Sequence, residues 1–497
     1  MPAFSLVPEQ PRLRLTLPTV EGNVDYQQWQ TQLQRMDQLI RLAGVETQFV
    51  QASLQHWTRP GETPLADLTV KQIVKFQEHS RRALRCNIAR TLLGEGFRDF
   101  AVHLAESPLL QWFCGVDQLD VVQVPAKSSL QRYATWLPAA VMRPLIEGLL
   151  RQGAERPQVL KLVAALDLDT YFVDTSCVKA NIHFPVDWVL LRDATRTLMK
   201  AVLLIRKHGL KHRMEPPEMF LRRMNRLCIQ MSQTYRKASG KKARKRTLRA
   251  MKRLVKAVAR HALRYRDLLD RDWAQTDWTR PQAEQVLDRV DGVLLQLPAA
   301  EEQAHERIIG ERPVKNEDKI LSFYEPEIHV IVRHKAGAEV EFGNTLLLGE
   351  SPAGLIVDWQ LWQDGAPADA RQMTESVARV EAGLGRKVRA IGGDRGFDSQ
   401  ANQAWLKGHR TYNGICPRRP RQLQDRNRAA RFRGLQRRRS QTEGRIGIFK
   451  HEFLGQPLRA KGFARREQAV AWGVMAHNLW VLARLPQVEE AAERLAA

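Results

Sequence analysis

Three carboxylates stand out in this sequence by their surroundings. Asp174 follows Tyr171, Phe172 and Val173 in "TYFVDTSCV"; Asp394 follows Gly392 and Gly393 in "AIGGDRGF"; Glu443 lies in "RRRSQTEGRIGIFK". The first two contexts read as β-strands ending in an acid, the third as a helix. Strand ends of an α/β sheet present side chains from a rigid frame. Singly, each acid has an ordinary explanation, since an aspartate at a strand end is most often a turn or cap residue. As a set, three carboxylates can hold two Mg²⁺ (or Mn²⁺) ions about 4 Å apart. Such a pair activates a water or a 3′-hydroxyl and stabilises the leaving oxygen in phosphodiester chemistry. Gly392 and Gly393 would let the backbone turn, or let a phosphate come close.

The setting of Glu443 sharpens this. From Arg418 to Lys450 the chain has eleven Arg and one Lys, and its acids there are Asp425 and Glu443. Arg439, Glu443, Ile446 and Lys450 recur at i, i+4, i+7 and i+11, one face of a helix. Such a stripe is an ion-pair ladder if it is merely structural. Facing a sheet, it reads as a metal-ligating Glu443, with Arg439 and Lys450 on the DNA backbone. Arg437, Arg438 and Arg445 are then further phosphate contacts.

Other polar residues compete. Asp187 and Asp193 read as a cap or as partners of Arg192 and Arg196. Asp398 reads as the N-cap of the next helix, and Asp358 as a weaker metal candidate in mid-strand. His183 reads as a positioning or core residue, and Cys177 as a small buried group.

The elements that must hold these acids follow from periodicity and punctuation. Residues 1–165 read as helices. "SPLLQWFCG" has Ser107 as N-cap, Pro108 at the first helical position and Gly115 at the end, and "KSSLQRYATWLP" has a cap at Ser128 or Ser129. The short helices suit either a helix-turn-helix or a plain bundle; in the DNA-binding version Ser129 and Arg132 touch DNA. Residues 166–203 and 317–482 carry the strand signals and form the core in two parts. They end in an amphipathic helix, "RREQAVAWGVMAHNLWVLARL", packed across the sheet. Residues 204–316 read as an inserted helical segment. Within it, Arg236 to Lys256 holds eleven Lys or Arg and no acid. Lys242 and Arg246 are its candidate nucleic-acid contacts. Residues 483–497 read as a solvated tail.

Composition agrees. The chain has 497 residues, 43% of them hydrophobic, and a net charge of +24. That excludes global disorder and favours a polyanionic partner, nucleic acid before membrane. Five cysteines without CxxC spacing argue against a zinc knuckle or a disulfide frame and for a reducing cytoplasm. The opening "MPAFSLVPEQPRLRL" lacks a signal-peptide layout, and no apolar run approaches membrane-spanning length.

On these residues the chain resembles the bacterial insertion-sequence DDE transposases, most nearly the ISNCY type. The resemblance rests on "YFVDTSCVKANIHFPVDWVLLRDATR", "EFGNTLLL" with "GLIVDWQLW", "GGDRGFDS", "RRRSQTEGRIGIFK" and "VMAHNLWVLAR". In the N-terminal part it rests on "LLGEGFRDFAVHLAESPLLQWFCGV" with "PAKSSLQRY". It implies an α/β ribonuclease H-like catalytic core, a mixed sheet flanked by helices, with an all-α N-terminal domain and an all-α insertion. Asp174, Asp394 and Glu443 then match the catalytic, metal-binding acids, 220 and 49 residues apart. The family's last-helix signature is Tyr, two residues, Arg, three residues, Glu, six residues, Lys. Arg439, Glu443 and Lys450 fit it, whereas the tyrosine position holds Gln436. The implied activity is Mg²⁺-dependent hydrolysis at element ends and strand transfer into target DNA. Its partners are terminal inverted repeats, target DNA and a second protomer or more, in a cytoplasmic, nucleoid-associated setting. The rival readings are a structure-specific nuclease of the same fold and a catalytically inactive DNA-binding regulator or transposase remnant.

Overall fold

The computed structural model describes residues 7, 16–57, 68–117, 121–235, 238–335 and 338–488. Most of the opening segment, Arg236 and Lys237, and the tail from 489 onward lie outside them. The missing signal peptide is therefore not addressed by the structure, whereas the solvated tail expected over 483–497 is corrected at its start: Ala483 and Gln487 are buried, and Gln487 bridges to Leu162. Among the described residues no helix is long and apolar enough to cross a membrane.

Seven helices come first: α1 Val24–Leu42, α2 Val45–Trp57, α3 Val70–Leu93, α4 Phe97–Glu106, α5 Pro108–Cys114, α6 Lys127–Ala134 and α7 Ala139–Glu155. Local chemistry sets their ends. Ser107 Oγ accepts from Leu110 N, Pro108 opens α5, and Gly115 closes it at φ +65. The cap expected at Ser128 or Ser129 is corrected: α6 starts at Lys127 with Ala126 as N-cap. Strand β1 (Thr170–Lys179) follows, then α8 Asp187–Lys207, α9 Pro217–Tyr235, α10 Lys241–Asp272 and α11 Arg280–His305. Next come β2 His329–Lys335, β3 Ala338–Glu350, β4 Ile356–Leu361, α12 Asp369–Leu384, β5 Ala390–Gly393, α13 Gln400–His409 and β6 Tyr412–Ile415. The chain closes with α14 Pro420–Arg426, α15 Ala430–Ile448, a π-helical turn over Phe449–Leu454, and α16 Phe463–Leu482.

The six strands form one mixed sheet in the order β2-β3-β1-β5-β6, with β4 also on β3. β1, β5 and β6 run parallel; β3 is antiparallel to β2 and to β4. Strand β1 does not end at Asp174 as expected. It continues to Lys179, while its pairing with β5 stops at Val173↔Gly393.

The chain divides into two compact units. The first comprises residues 1–178, 345–362 and 366–497; the second comprises 179–344 and 363–365. The N-terminal helices are not a separate domain: Leu33, Phe49, Leu84 and Ile146 share one apolar core with Val173, Leu347, Ile391 and Trp472. At the centre of that core is α16, which is buried nearly all round instead of amphipathic. Its Asn478 donates to Ile356 O and accepts from Ile356 N, both at 2.8 Å, completing the edge of β4.

The second unit begins at Lys179, earlier than the insertion expected at residue 204. The reason is packing: Leu191, Leu198, Val202 and Ile205 of α8 share a core with Met224, Met251, Val255, Val258 and Val290 of α9 to α11. The basic run from Lys241 to Lys256 becomes the first half of one 32-residue helix, α10, with Leu248, Met251, Val255 and Val258 buried.

Candidate active site

Parallel register sets the first two acids side by side. Val173 and Gly393 are the last paired residues of β1 and β5, and Asp174 and Asp394 follow each by one position. Both are half-buried. Asp174 accepts from its neighbour Thr175 N at 2.7 Å, and Asp394 Oδ1 accepts from Gly396 N at 2.8 Å. Burial first, and then the Asp394 carboxylate, push the Asp174 carboxyl up to about 6; the Arg439 guanidinium pulls the other way.

Gly392 has a different task from the one expected. Its φ is not positive, and a Cβ there would meet Phe172 Cδ1 at 2.6 Å. The glycine makes room for the Phe172 ring opposite it in register, and Arg438 stacks on that ring at 4.8 Å.

A further carboxylate stands here that the sequence reading missed. Asp369, in the first turn of α12, accepts from Thr175 Oγ1 at 3.0 Å. A Cβ on Gly396 would lie 2.5 Å from Asp369 Oδ2 and 2.9 Å from Asp394 Oδ1, so the two carboxylates flank that glycine. Asp369 also helps raise the Asp174 carboxyl. In "APADARQM" it looks like any acid at a helix start, where the macrodipole favours negative charge.

Helix α15 supplies the rest. Its sheet-facing side is Arg438, Thr442 and Arg445, one residue out of phase with the expected stripe. Arg438 donates to Glu350 Oε1 at 2.8 Å, to Pro352 O and to Ser351 O, while Thr442 donates to Glu350 Oε1 at 2.6 Å. Arg445 packs over Gly354, where a Cβ would collide with it, and burial lowers its pKa. The expectation that Arg438 and Arg445 contact phosphate is thus corrected: the buried Glu350 and the backbone around it draw them inward. Arg437 is exposed.

The neighbouring face carries Arg439, Glu443 and Lys450. Arg439 reaches the field of Asp174, and its Nε is buried without a hydrogen-bond partner. Lys450, displaced onto the π-helical turn, donates to Ser176 Oγ of β1 at 3.0 Å. Glu443 lies between them on an exposed turn. Among the described residues no three His, Cys, Asp or Glu side chains are grouped closely enough to hold a metal ion. The structure thus brings Asp174 and Asp394 together and leaves Glu443 outside that pair. At the tyrosine position of the resemblance, Gln436 donates to Gly414 O and ties α15 to β6.

Compared with family models, curated proteins and solved structures, the chain matches none. The site is therefore read from its own geometry.

The competing residues have structural partners. Asp358 is fully buried and accepts from Arg143, Arg379 and Ser376; this correction replaces the metal-ligand expectation, because its oxygens are already bound by cations. Asp187 accepts from Gln303 and Arg307, and Asp193 pairs with Arg192. Asp398 does not cap α13; Ser399 does, and Asp398 accepts from Arg418 N and Gln403. His183 is exposed, not core, and Cys177 is buried. Ser129 accepts from the exposed Arg132 at 3.2 Å, while Leu130 and Tyr133 anchor α6. Lys242 and Arg246 are exposed on α10.

Proposed function

We propose that this protein is a DNA transposase with a ribonuclease H-like core, acting on phosphodiester bonds at DNA ends. The observation that carries the reading is the pair Asp174, within β1, and Asp394, just past the end of β5, each one residue beyond the last pairing of these parallel strands, with Arg439 in the field of Asp174, in a chain of charge +24. A cation fits there. Burial and, second, the Asp394 carboxylate raise Asp174, and a divalent ion would offset both; hard carboxylate oxygens suit Mg²⁺.

Asp174 and Asp394 would hold a metal ion; Glu443, which this fold leaves exposed and outside the pair, is the third ligand, and a second ion is expected, only on the strength of the resemblance. The bound metal would supply an activated water or 3′-hydroxyl and stabilise the leaving oxygen. The chain's own groups do the positioning. Arg439, whose guanidinium acts on Asp174, would add positive charge beside a bound phosphate. Lys450, held on Ser176, adds positive charge along β1. Arg437 grips backbone phosphates farther out. Since transposition joins two ends, the working form is a dimer or larger on DNA.

The test is a Mg²⁺-dependent cleavage and strand-transfer assay on the element's own ends, with Asp174→Ala, Asp394→Ala and Glu443→Ala. Each variant is expected to bind DNA and to lose both reactions by at least ~100-fold. Cleavage without joining in the wild type favours a nuclease. No reaction with any metal, with binding intact, favours a DNA-binding regulator. Cleavage that survives Glu443→Ala removes the glutamate from the catalytic set.

A further inference from the structure

The second unit bears a cleft of about 460 Å³ lined by Arg246, Arg249, Lys252, Arg253, His305 and Ile309. No acid lines it. Arg246, Arg249 and Arg253 recur at i, i+3 and i+7 of α10, share a face, and are exposed. Among the described residues none of the three forms an ion pair or a hydrogen bond. Their neighbours Lys241 and Lys245 behave differently: both pair with Glu311, at 2.7 and 2.9 Å. The opposite face of α10 is buried through Leu248, Met251, Val255 and Val258, so the arginines cannot turn inward. Like charges at i, i+3 and i+7 repel, and an anion in the cleft would relieve that repulsion.

We infer that this cleft binds the phosphate backbone of duplex DNA. The charges are too extended for a single small anion. From Arg246 to Arg253 the helix rises roughly 10 Å, a length over which a duplex presents about six phosphates. Arginines without base-reading partners grip DNA of any sequence. The inference needs DNA as partner but not its cleavage, so it stands or falls apart from the carboxylate site.

The experiment uses the full chain and a duplex of random sequence, without divalent metal, with anisotropy read at stepped salt. Arg246→Gln/Arg249→Gln/Arg253→Gln is expected to bind at least ~10-fold more weakly and to flatten the slope of log affinity against log salt by about 2.7. The control, Lys241→Gln/Glu311→Gln, removes one lysine together with the acid it pairs with, leaves the local net charge unchanged, and keeps its affinity within about threefold. In the wild type, acetylation of Lys252 is slowed by the duplex. A triple variant with unchanged affinity and slope overturns the inference, as does a Lys252 that acetylates equally fast with and without DNA. A loss confined to single strands overturns it too. If the cleft behaves as expected and no variant or wild type ever cuts DNA, only the catalytic reading fails.

Discussion

Asp174, within β1, and Asp394, just past the end of β5, each stand one residue beyond the last paired residues of these parallel strands, Val173 and Gly393. Parallel register aligns the two carboxylates although 219 residues intervene, counted from 174 to 394. The consequence is electrostatic. Two acids at one end of a sheet compete for ionisation unless a cation joins them.

Burial first, and the Asp394 carboxylate second, give Asp174 a pH signature. The Asp174 carboxyl sits at about 6 in the fold, against 3.8 ordinarily. The folded protein therefore keeps a proton that the unfolded chain releases as pH rises. Its stability falls through the window from about 4 to about 6. Asp174→Asn removes this term and is expected to be more stable than the wild type above pH ~6, by on the order of 1 kcal/mol. Thermal denaturation at stepped pH checks it; identical pH dependence in the two proteins counts against a raised Asp174. Mg²⁺ is expected to stabilise the wild type more at pH ~7 than at pH ~5, because ligation needs the ionised form.

Asp369 acts through its neighbours. Losing its charge takes away one of the groups that raise Asp174, so Asp369→Asn is expected to lower the apparent pKa of Asp174. Carboxyl chemical shifts followed through a pH titration read this directly. An unmoved titration with an unaltered fold would show that Asp369 serves only to hold Thr175.

Arg437 and Arg438 are adjacent and predicted to differ in kind. Arg438→Ala leaves the buried Glu350 without its main cation and is expected to cost roughly 3–5 kcal/mol of stability. Arg437→Ala is expected to change stability by less than about 0.5 kcal/mol and to flatten the salt slope of DNA binding by about 0.9. Denaturant melts and salt-stepped binding, run on both variants, separate the two roles. Equal stability losses would remove the distinction.

Gly392→Ala puts a methyl 2.6 Å from the Phe172 ring. Overpacking of this kind costs about 1–3 kcal/mol. Pairing it with Phe172→Leu is expected to recover part of the loss, a coupling that a double-mutant cycle measures. Full additivity would mean that the ring does not set the need for glycine.

The candidate chemistry was legible where local pattern carries it. An apolar β-rich run followed by an acid marked Asp174, a strand end after two glycines marked Asp394, and Ser107, Pro108 and Gly115 bounded a helix as read. What failed was the direction of a helix face, the reach of a strand, and the environment of a helix. Position around a helix advances about 100° per residue, so a pattern shared by Arg438, Thr442 and Arg445 competes with one shared by Arg439, Glu443 and Lys450. Only Glu350, brought in by β3, decides between them.

The sequence by itself determined the acids, the charge and the elements, because propensity, capping and periodicity act over a few residues. Tertiary structure alone decided which acids meet: Asp369 reaches Thr175 across 194 residues, and Asp358 is claimed by Arg143 and Arg379. It also decided that α8 belongs with the inserted helices and that α16 is buried all round. Those outcomes depend on burial against surfaces distant in the chain, and no window of neighbouring residues contains that information.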